Sequence, residues 1–290
     1  MQLIKFVNSK GNEIEFTNSA PTLLVEVEGM SGIEASEVSY AGYMQDGEAY
    51  QHSTLDKRQI VIKFHLMAIE VNELLKLRSV VNKVFNPKLG NGTLYYSYQG
   101  VQRKIVCVPD GTPVMPLRGG ATDCEGEIIL LAHEPYWLDI DETRIDIAVW
   151  KDAFSFPLII PKKGIAMGYK EPSLIGNVCN SGDVECGMTI EFAAKGTVEN
   201  PSLLNIDTGQ YIKIKKTMVA GEKIIVNTRY NNKRVISEVA TIQTNIMNYL
   251  DLDSTFLQLD VGDNLFRYNA ESNLNQLEVS IKYTQRYLGV

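Results

Sequence analysis

The chain has 290 residues, 44% of them hydrophobic and 22% charged, with 28 Lys and Arg against 35 Asp and Glu for a net charge of −7. That length implies about two domains, the mixture is that of a globular protein rather than a disordered one, and no apolar run approaches the roughly 18–20 residues a bilayer crossing needs. Acidity argues against nucleic acid held by phosphate neutralisation, which is mostly cationic. The first 141 residues carry 12 Lys and Arg against 18 Asp and Glu, and the remainder 16 against 17, so most of the negative charge sits in the first half. The opening residues lack the basic flank and long apolar core of a secretory signal.

In chain order, the first notable stretch is 39–50, a tyrosine-bearing segment around an Asp46-Gly47 turn signal. Tyr40, Tyr43, Met44 and Tyr50 are its candidate subunit-interface residues, because tyrosine and methionine are enriched where proteins bury surface against one another. Residues 60–66 alternate, with Ile60, Ile62, Phe64 and Leu66 on one face and Val61, Lys63 and His65 on the other, which predicts a half-buried strand. From 68 to 85 the apolar residues Val71, Leu74, Leu75, Leu77, Val81, Val84 and Phe85 recur at three- and four-residue steps, which predicts one helix over about 69–86. Asn86-Pro87 ends it. Further strands are predicted at 93–98, 102–108, 127–132, 144–150, 188–192, 211–215, 222–227, 234–239, 265–268 and 277–284, joined by turn signals at Thr208-Gly209, Ala220-Gly221, Asn231-Asn232 and Gly262-Asp263-Asn264. Spacing of roughly 8–12 residues between strands points to antiparallel sandwiches rather than βαβ units. The Pro- and Gly-rich stretch 157–172 is the best linker.

Chemistry-bearing patterns are sparse. Rossmann, P-loop and nucleophile-elbow motifs are absent, and His52, His65 and His133 are scattered singly, so no catalytic residue, cofactor site or metal site is assigned. Asp251-Leu252-Asp253-Ser254-Thr255 has the D-x-D-x-T form of phosphoryl-transfer hydrolases but lacks the chain beyond it that such chemistry needs, and is read as a solvated turn. Asp251, Asp253, Asp260 and Asp263 lack the glycine of an EF-hand loop. Trp137 and Trp150 lie in or beside strand patterns and are read as core. Four cysteines are too few for a disulfide framework; Cys179 and Cys186 are placed to face each other across a hairpin as reduced thiols.

Over nearly its whole length the order of residues is familiar. Arg58-Gln59-Ile60-Val61-Ile62-Lys63-Phe64, Leu74-Leu75-Lys76-Leu77-Arg78, Gly92-Thr93-Leu94-Tyr95-Tyr96 and Pro135-Tyr136-Trp137 carry it in the first half. Asn180-Ser181-Gly182-Asp183-Val184-Glu185, Asn200-Pro201-Ser202-Leu203-Leu204-Asn205, Ser254-Thr255-Phe256-Leu257-Gln258-Leu259 and the terminal Tyr287-Leu288-Gly289-Val290 carry it in the second. In this the chain resembles the siphovirus tail component family, the distal tail proteins of phages and prophages of Gram-positive bacteria.

The resemblance implies a mainly β, two-domain protein: a ring-forming, sandwich-like domain with one helix over 1–140, a connecting strand and linker over 141–172, and a galectin-like antiparallel β-sandwich over 173–290. It implies a non-enzymatic, cofactor-free component of the virion tail tip or baseplate, assembled in the bacterial cytoplasm. The implied partners are five further copies in a homo-hexamer, the major tail tube protein, a tail-associated fibre or lysin protein and a receptor-binding protein, with no membrane and no sequence-specific nucleic acid. The 39–50 arm becomes a hairpin that reaches the adjacent subunit. The acidic first half becomes a ring lumen that repels phosphates so that DNA slides through. Two alternatives stay open: a free carbohydrate-binding sandwich protein, and the same hub in a contractile phage or phage-like bacteriocin.

Overall fold

The computed structural model describes residues 2–116, 118–148, 150–152, 168–170 and 174–290. The chain divides into two compact units, Met1–Ile140 together with Tyr287–Val290, and Asp141–Arg286. The first unit is built on strands β1 (Leu3–Val7), β2 (Glu13–Phe16), β3 (Thr22–Glu28), β4 (Ala35–Tyr40), β5 (Ala49–Leu55) and β6 (Arg58–Met67). Helix α1 (Val71–Val84) follows, then β7 (Gly92–Tyr98), β8 (Val101–Pro109), β9 (Asp123–Ala132) and the short β10 (Trp137–Leu138).

Seven of these strands pair antiparallel in the order β2-β1-β7-β8-β9-β6-β3. Strict alternation drives that pairing: Ile60, Ile62, Phe64 and Leu66 of β6 are buried, as expected, and they meet Ile128 and Leu130 of β9 in a ten-residue register. Gly126 sits opposite Phe64, and a Cβ there would fall 2.4 Å from the Phe64 ring, so the absence of a side chain is what admits that ring. Helix α1 covers the core with Leu74, Val81 and Val84, and the following Phe85 stacks on Phe6 at 4.7 Å. Val71 and Leu75, counted in the apolar stripe, are instead partly exposed: they lie at its N-terminal end and flank, and the buried stripe is narrower than the apolar count suggests. Trp137 is fully buried, its indole Nε1 donating to the Met30 carbonyl at 3.1 Å.

The second unit is an antiparallel two-sheet sandwich. The larger sheet runs Thr143–Ala148, Leu277–Tyr283, Cys186–Ala194, Lys223–Asn227, Arg234–Val239, Ile242–Asn245. The smaller runs Ile175–Asn180, Gly262–Asn269, Ser202–Asn205, Tyr211–Lys213. Ile190, Phe192, Val226 and Ile281 from one sheet and Val178, Leu203, Phe266 and Tyr268 from the other form one buried cluster. On the outer face of the larger sheet, charges are matched: Lys282 and Lys223 reach Glu191 at 3.3 and 3.6 Å, and Lys195 reaches Glu278 at 3.3 Å.

Several expectations change. Thr143–Ala148, expected in a connector, is the outermost strand of the larger sheet, because it pairs along Leu277–Tyr283. Tyr287–Val290, expected in the sandwich, belong to the first unit, where Tyr287 and Val290 pack on its core. Gly262-Asp263-Asn264 opens a strand rather than only separating two. Cys179 and Cys186 do not face each other: Cys179 pairs with Asp263 in the smaller sheet and Cys186 with Leu259 beside the larger. Most of the predicted 157–172 linker and the Trp150 side chain lie outside the described residues.

Candidate interaction surface

The segment singled out as an arm is a hairpin that leaves the sheet. Among the described residues β4 and β5 pair only with each other, from Ala35 opposite Leu55 to Tyr40 opposite Ala49, and none of residues 34–55 is buried. A two-stranded ribbon without an apolar face to cover is marginal on its own in water. Its root is fastened where the Asp56 N–H donates to the Glu34 carbonyl at 2.9 Å and the Ser36 hydroxyl donates to the Asp56 carboxylate. Towards the tip, the Ser39 hydroxyl donates to the Glu48 carboxylate and Gly42 N–H to the Gln45 side-chain oxygen. Gly47, at φ +76°, supplies the left-handed step expected of an Asp-Gly turn.

The four candidate residues are all exposed: Tyr40 at 56%, Tyr43 at 97%, Met44 at 89% and Tyr50 at 62%. They do not form one patch. A bulge between Val38 and Ser39 sets Ser39 opposite Tyr50 and Tyr40 opposite Ala49, so the two strand tyrosines project from opposite faces of the ribbon while Tyr43 and Met44 occupy its end. Tyr50 is oriented by a 3.0 Å bond between its hydroxyl and that of Ser53.

A second exposed apolar feature was not singled out in the sequence. Where β6 passes into α1, Met67 (40% exposed) and Ile69 (89%) stand beside Pro21, Lys76 and Leu77 along a groove of about 670 Å³. Its walls are fixed by backbone bonds: Met67 N–H to Pro21 O and Ala68 N–H to Thr122 O, each 2.9 Å, while Ile69 N–H donates to the Glu73 carboxylate at 3.3 Å. The available signal was the run Met67-Ala68-Ile69, apolar residues in succession across the end of an alternating strand, where neither period applies.

The other candidates resolve as packing. His65 lies on β6 and meets Asp123 of β9 at 2.9 Å. Asp251, expected in a solvated turn, is nearly buried and reaches Lys215 at 3.2 Å. Among the described residues no group of His, Cys, Asp or Glu is arranged to hold a metal, all four cysteines are free, and no helix is long and apolar enough to cross a membrane.

Comparison with known proteins gives these features a context. The family model described as phage tail protein RIFT-related domain matches residues 9–121, and that described as siphovirus-type tail component, C-terminal domain, matches residues 181–287. Among solved structures, the Dit (gp 19.1) protein of phage SPP1, described as a paradigm of the hub adsorption apparatus in phages infecting Gram-positive bacteria, aligns with 98% of this chain and 99% of its own at a TM-score of 0.70 and 13% identity. A chain of the phage P2 baseplate in its activated conformation with Ca aligns over 100% of both chains at a TM-score of 0.57 and 11% identity. No curated protein matches the chain by sequence. With one model on each unit and a common fold from end to end, the chain belongs to the siphovirus tail component family of phage distal tail proteins.

Proposed function

We propose that this tail hub protein works as a hexameric ring, closed by its first unit, that joins the tail tube on one side to the tail-associated fibre or lysin protein on the other. The second unit carries the receptor-binding proteins, the role is structural rather than enzymatic, and assembly takes place in the host cytoplasm before incorporation into the virion. The observation that carries the ring is the Ala35–Leu55 hairpin, a ribbon with no buried residue that gains a covered face only against another molecule. Tyr40, Tyr43, Met44 and Tyr50 are its contact residues. The excess of carboxylates in the first half supports an acidic lumen, which keeps DNA from adhering as it passes.

Light scattering on a size-exclusion column, with electron microscopy of a concentrated sample, tests the reading. Six-fold rings support it, and a chain that stays monomeric, or binds sugars as a monomer or dimer, overturns it. A neutral or basic lumen in the reconstructed ring overturns the account of the acidic half alone.

A further inference from the structure

A ring requires heterologous contacts, in which one face of a subunit meets a different face of the next. Resting on the ring reading, we infer that the hairpin tip of one subunit seats in the Met67–Ile69 groove of its neighbour, with Tyr43 and Met44 against Ile69 and Asp46 against Lys76.

Three observations converge on this pair of surfaces. Both are apolar and open, Tyr43 and Met44 at the tip and Ile69 in the groove being among the most exposed large hydrophobic side chains of the unit. Isolated exposed apolar residues are ordinary, but a protruding apolar set and a concave apolar set on one unit each leave a surface that a neighbouring copy can cover.

Charge is blocked along the chain, and the groove offers Lys76 to the acidic tip beside its own Glu73. From Gly11 to Asp56 there is no Lys or Arg and nine Asp or Glu, and from Leu74 to Pro109 there are six Lys or Arg and no Asp or Glu. Within the sheet some of this is settled internally, Lys63 holding Glu26 and Glu28 at 2.9 and 2.6 Å. Among the described residues the hairpin's Glu37 and Asp46 and the helix's Lys76 and Lys83 make no ion pair; Glu73, which lines the groove with Lys76, is engaged by the Ile69 N–H. Complementary unspent charge of this kind steers an encounter and fixes its register.

Third, the two surfaces stand at opposite ends of the same strand pair. β3 runs antiparallel to β6, with Glu28 opposite Val61 and Thr22 opposite Leu66. The hairpin is rooted beyond the Glu28–Arg58 end and the groove lies at the Pro21–Met67 end, separated by the ten residues of β6, about 30 Å at 3.3 Å per residue. Donor and acceptor at opposite flanks are what a head-to-tail ring uses, and what a subunit folding its arm back on itself does not.

The test uses the full chain with Cys179→Ser, since the other three cysteines are buried. Met44→Cys and Ile69→Cys are placed together on one chain and, separately, on two chains that are then mixed. Under mild oxidation the double variant is expected to give a covalent ladder of oligomers, the mixture dimers alone, and either single variant by itself no ladder. Asp46→Lys or Lys76→Glu alone is expected to weaken assembly about tenfold, as one interfacial charge pair does, and the two together to restore it. Rings visible by electron microscopy without the 44–69 crosslink, or crosslinks confined to single chains, overturn this placement and leave the ring standing. Loss of assembly in the charge-swapped double variant while Cys179→Ser alone assembles also overturns it. Absence of any oligomer in Cys179→Ser and wild type overturns the ring and the placement together.

Discussion

Arg58 donates from Nη2 to the carbonyl oxygen of Leu288, 230 residues further along the chain, at 2.5 Å. Its Nε and Nη1 donate to Pro135 O and Gly29 O at 2.8 and 2.7 Å, so one guanidinium gathers three separate backbone segments of the first unit. Burial pulls its pKa below the usual arginine value, yet a guanidinium stays protonated in proteins, and the three carbonyls serve as its counter-dipoles. Replacing Arg58 with Met orphans buried acceptors and is expected to cost about 3 kcal/mol. Urea unfolding checks this, with hydrogen exchange of the Trp137 indole as a local probe. An unchanged midpoint counts against the clamp.

The second unit holds a buried carboxylate paired with a partly exposed lysine. Glu222, fully buried, accepts from Lys216 Nζ and Ser237 Oγ at 2.5 Å each and from Val219 N–H at 3.0 Å. Burial favours its neutral form, but those three donors outweigh it and its pKa falls below the ordinary 4.5. On acidification the unfolded carboxylate therefore protonates first. The stabilisation is complete above the ordinary value and is lost as pH falls through the folded value. Glu222→Gln should cost about 3 kcal/mol at neutral pH by leaving Lys216 uncompensated. It should also remove this acid-side decline from the urea midpoint measured against pH; a variant with the same decline as wild type would show that other carboxylates cause it.

Gly126→Ala tests the core of the first unit. Its new methyl would lie 2.4 Å from the Phe64 ring, which itself stands 4.8 Å from Phe16, so relief must spread through an aromatic pair. We expect a loss of about 2 kcal/mol, the range of overpacked cores. Gly111→Ala, where no described residue lies within 4 Å of the new methyl, is the matched control, with a change within about 0.5 kcal/mol. Equal effects in the two variants would show that backbone freedom, rather than the Phe64 contact, is what matters.

The cysteines differ sharply in environment. Burial pushes the Cys107 thiol up to about 12 and that of Cys186 up to about 11, and Cys124 is buried with its sulfur accepting from Arg78 Nη1 at 2.9 Å. Cys179 is exposed. At neutral pH a maleimide should label one thiol in the native chain and four in denaturant, since thiolate supply and access both set the rate. Mass spectrometry locates the label, and rapid native labelling anywhere but Cys179 contradicts the burial pattern.

What could be read from the sequence was what local periodicity controls. β6 and Leu277–Tyr283 follow from alternation, and α1 from three- and four-residue steps closed by Asn86-Pro87. The family resemblance rested on the order of many such pieces. Sequence reading failed where a single long-range choice decides the outcome. The bulge at Val38 sends Tyr40 and Tyr50 to opposite faces, and no pattern within the hairpin announces it. Cys179 and Cys186 look like hairpin partners until the chain between them is seen to pass between sheets. The groove at Ile69 exists because three backbone segments converge on one strand end, and the return of Tyr287 depends on where Arg58 and Arg103 stand.

That return has a mechanical consequence. The chain leaves the first unit after Ile140 and re-enters it at Tyr287, so the second unit is an insertion held by two covalent crossings. Each crossing is anchored on the first-unit side: Lys104 Nζ grips Ile140 O at 2.6 Å, and Arg103 lies 3.7 Å over the Tyr287 ring while pairing with Asp139 at 2.8 Å. A load applied to the inserted unit is divided between two anchors in parallel, and unpeeling one strand leaves the other still fastened.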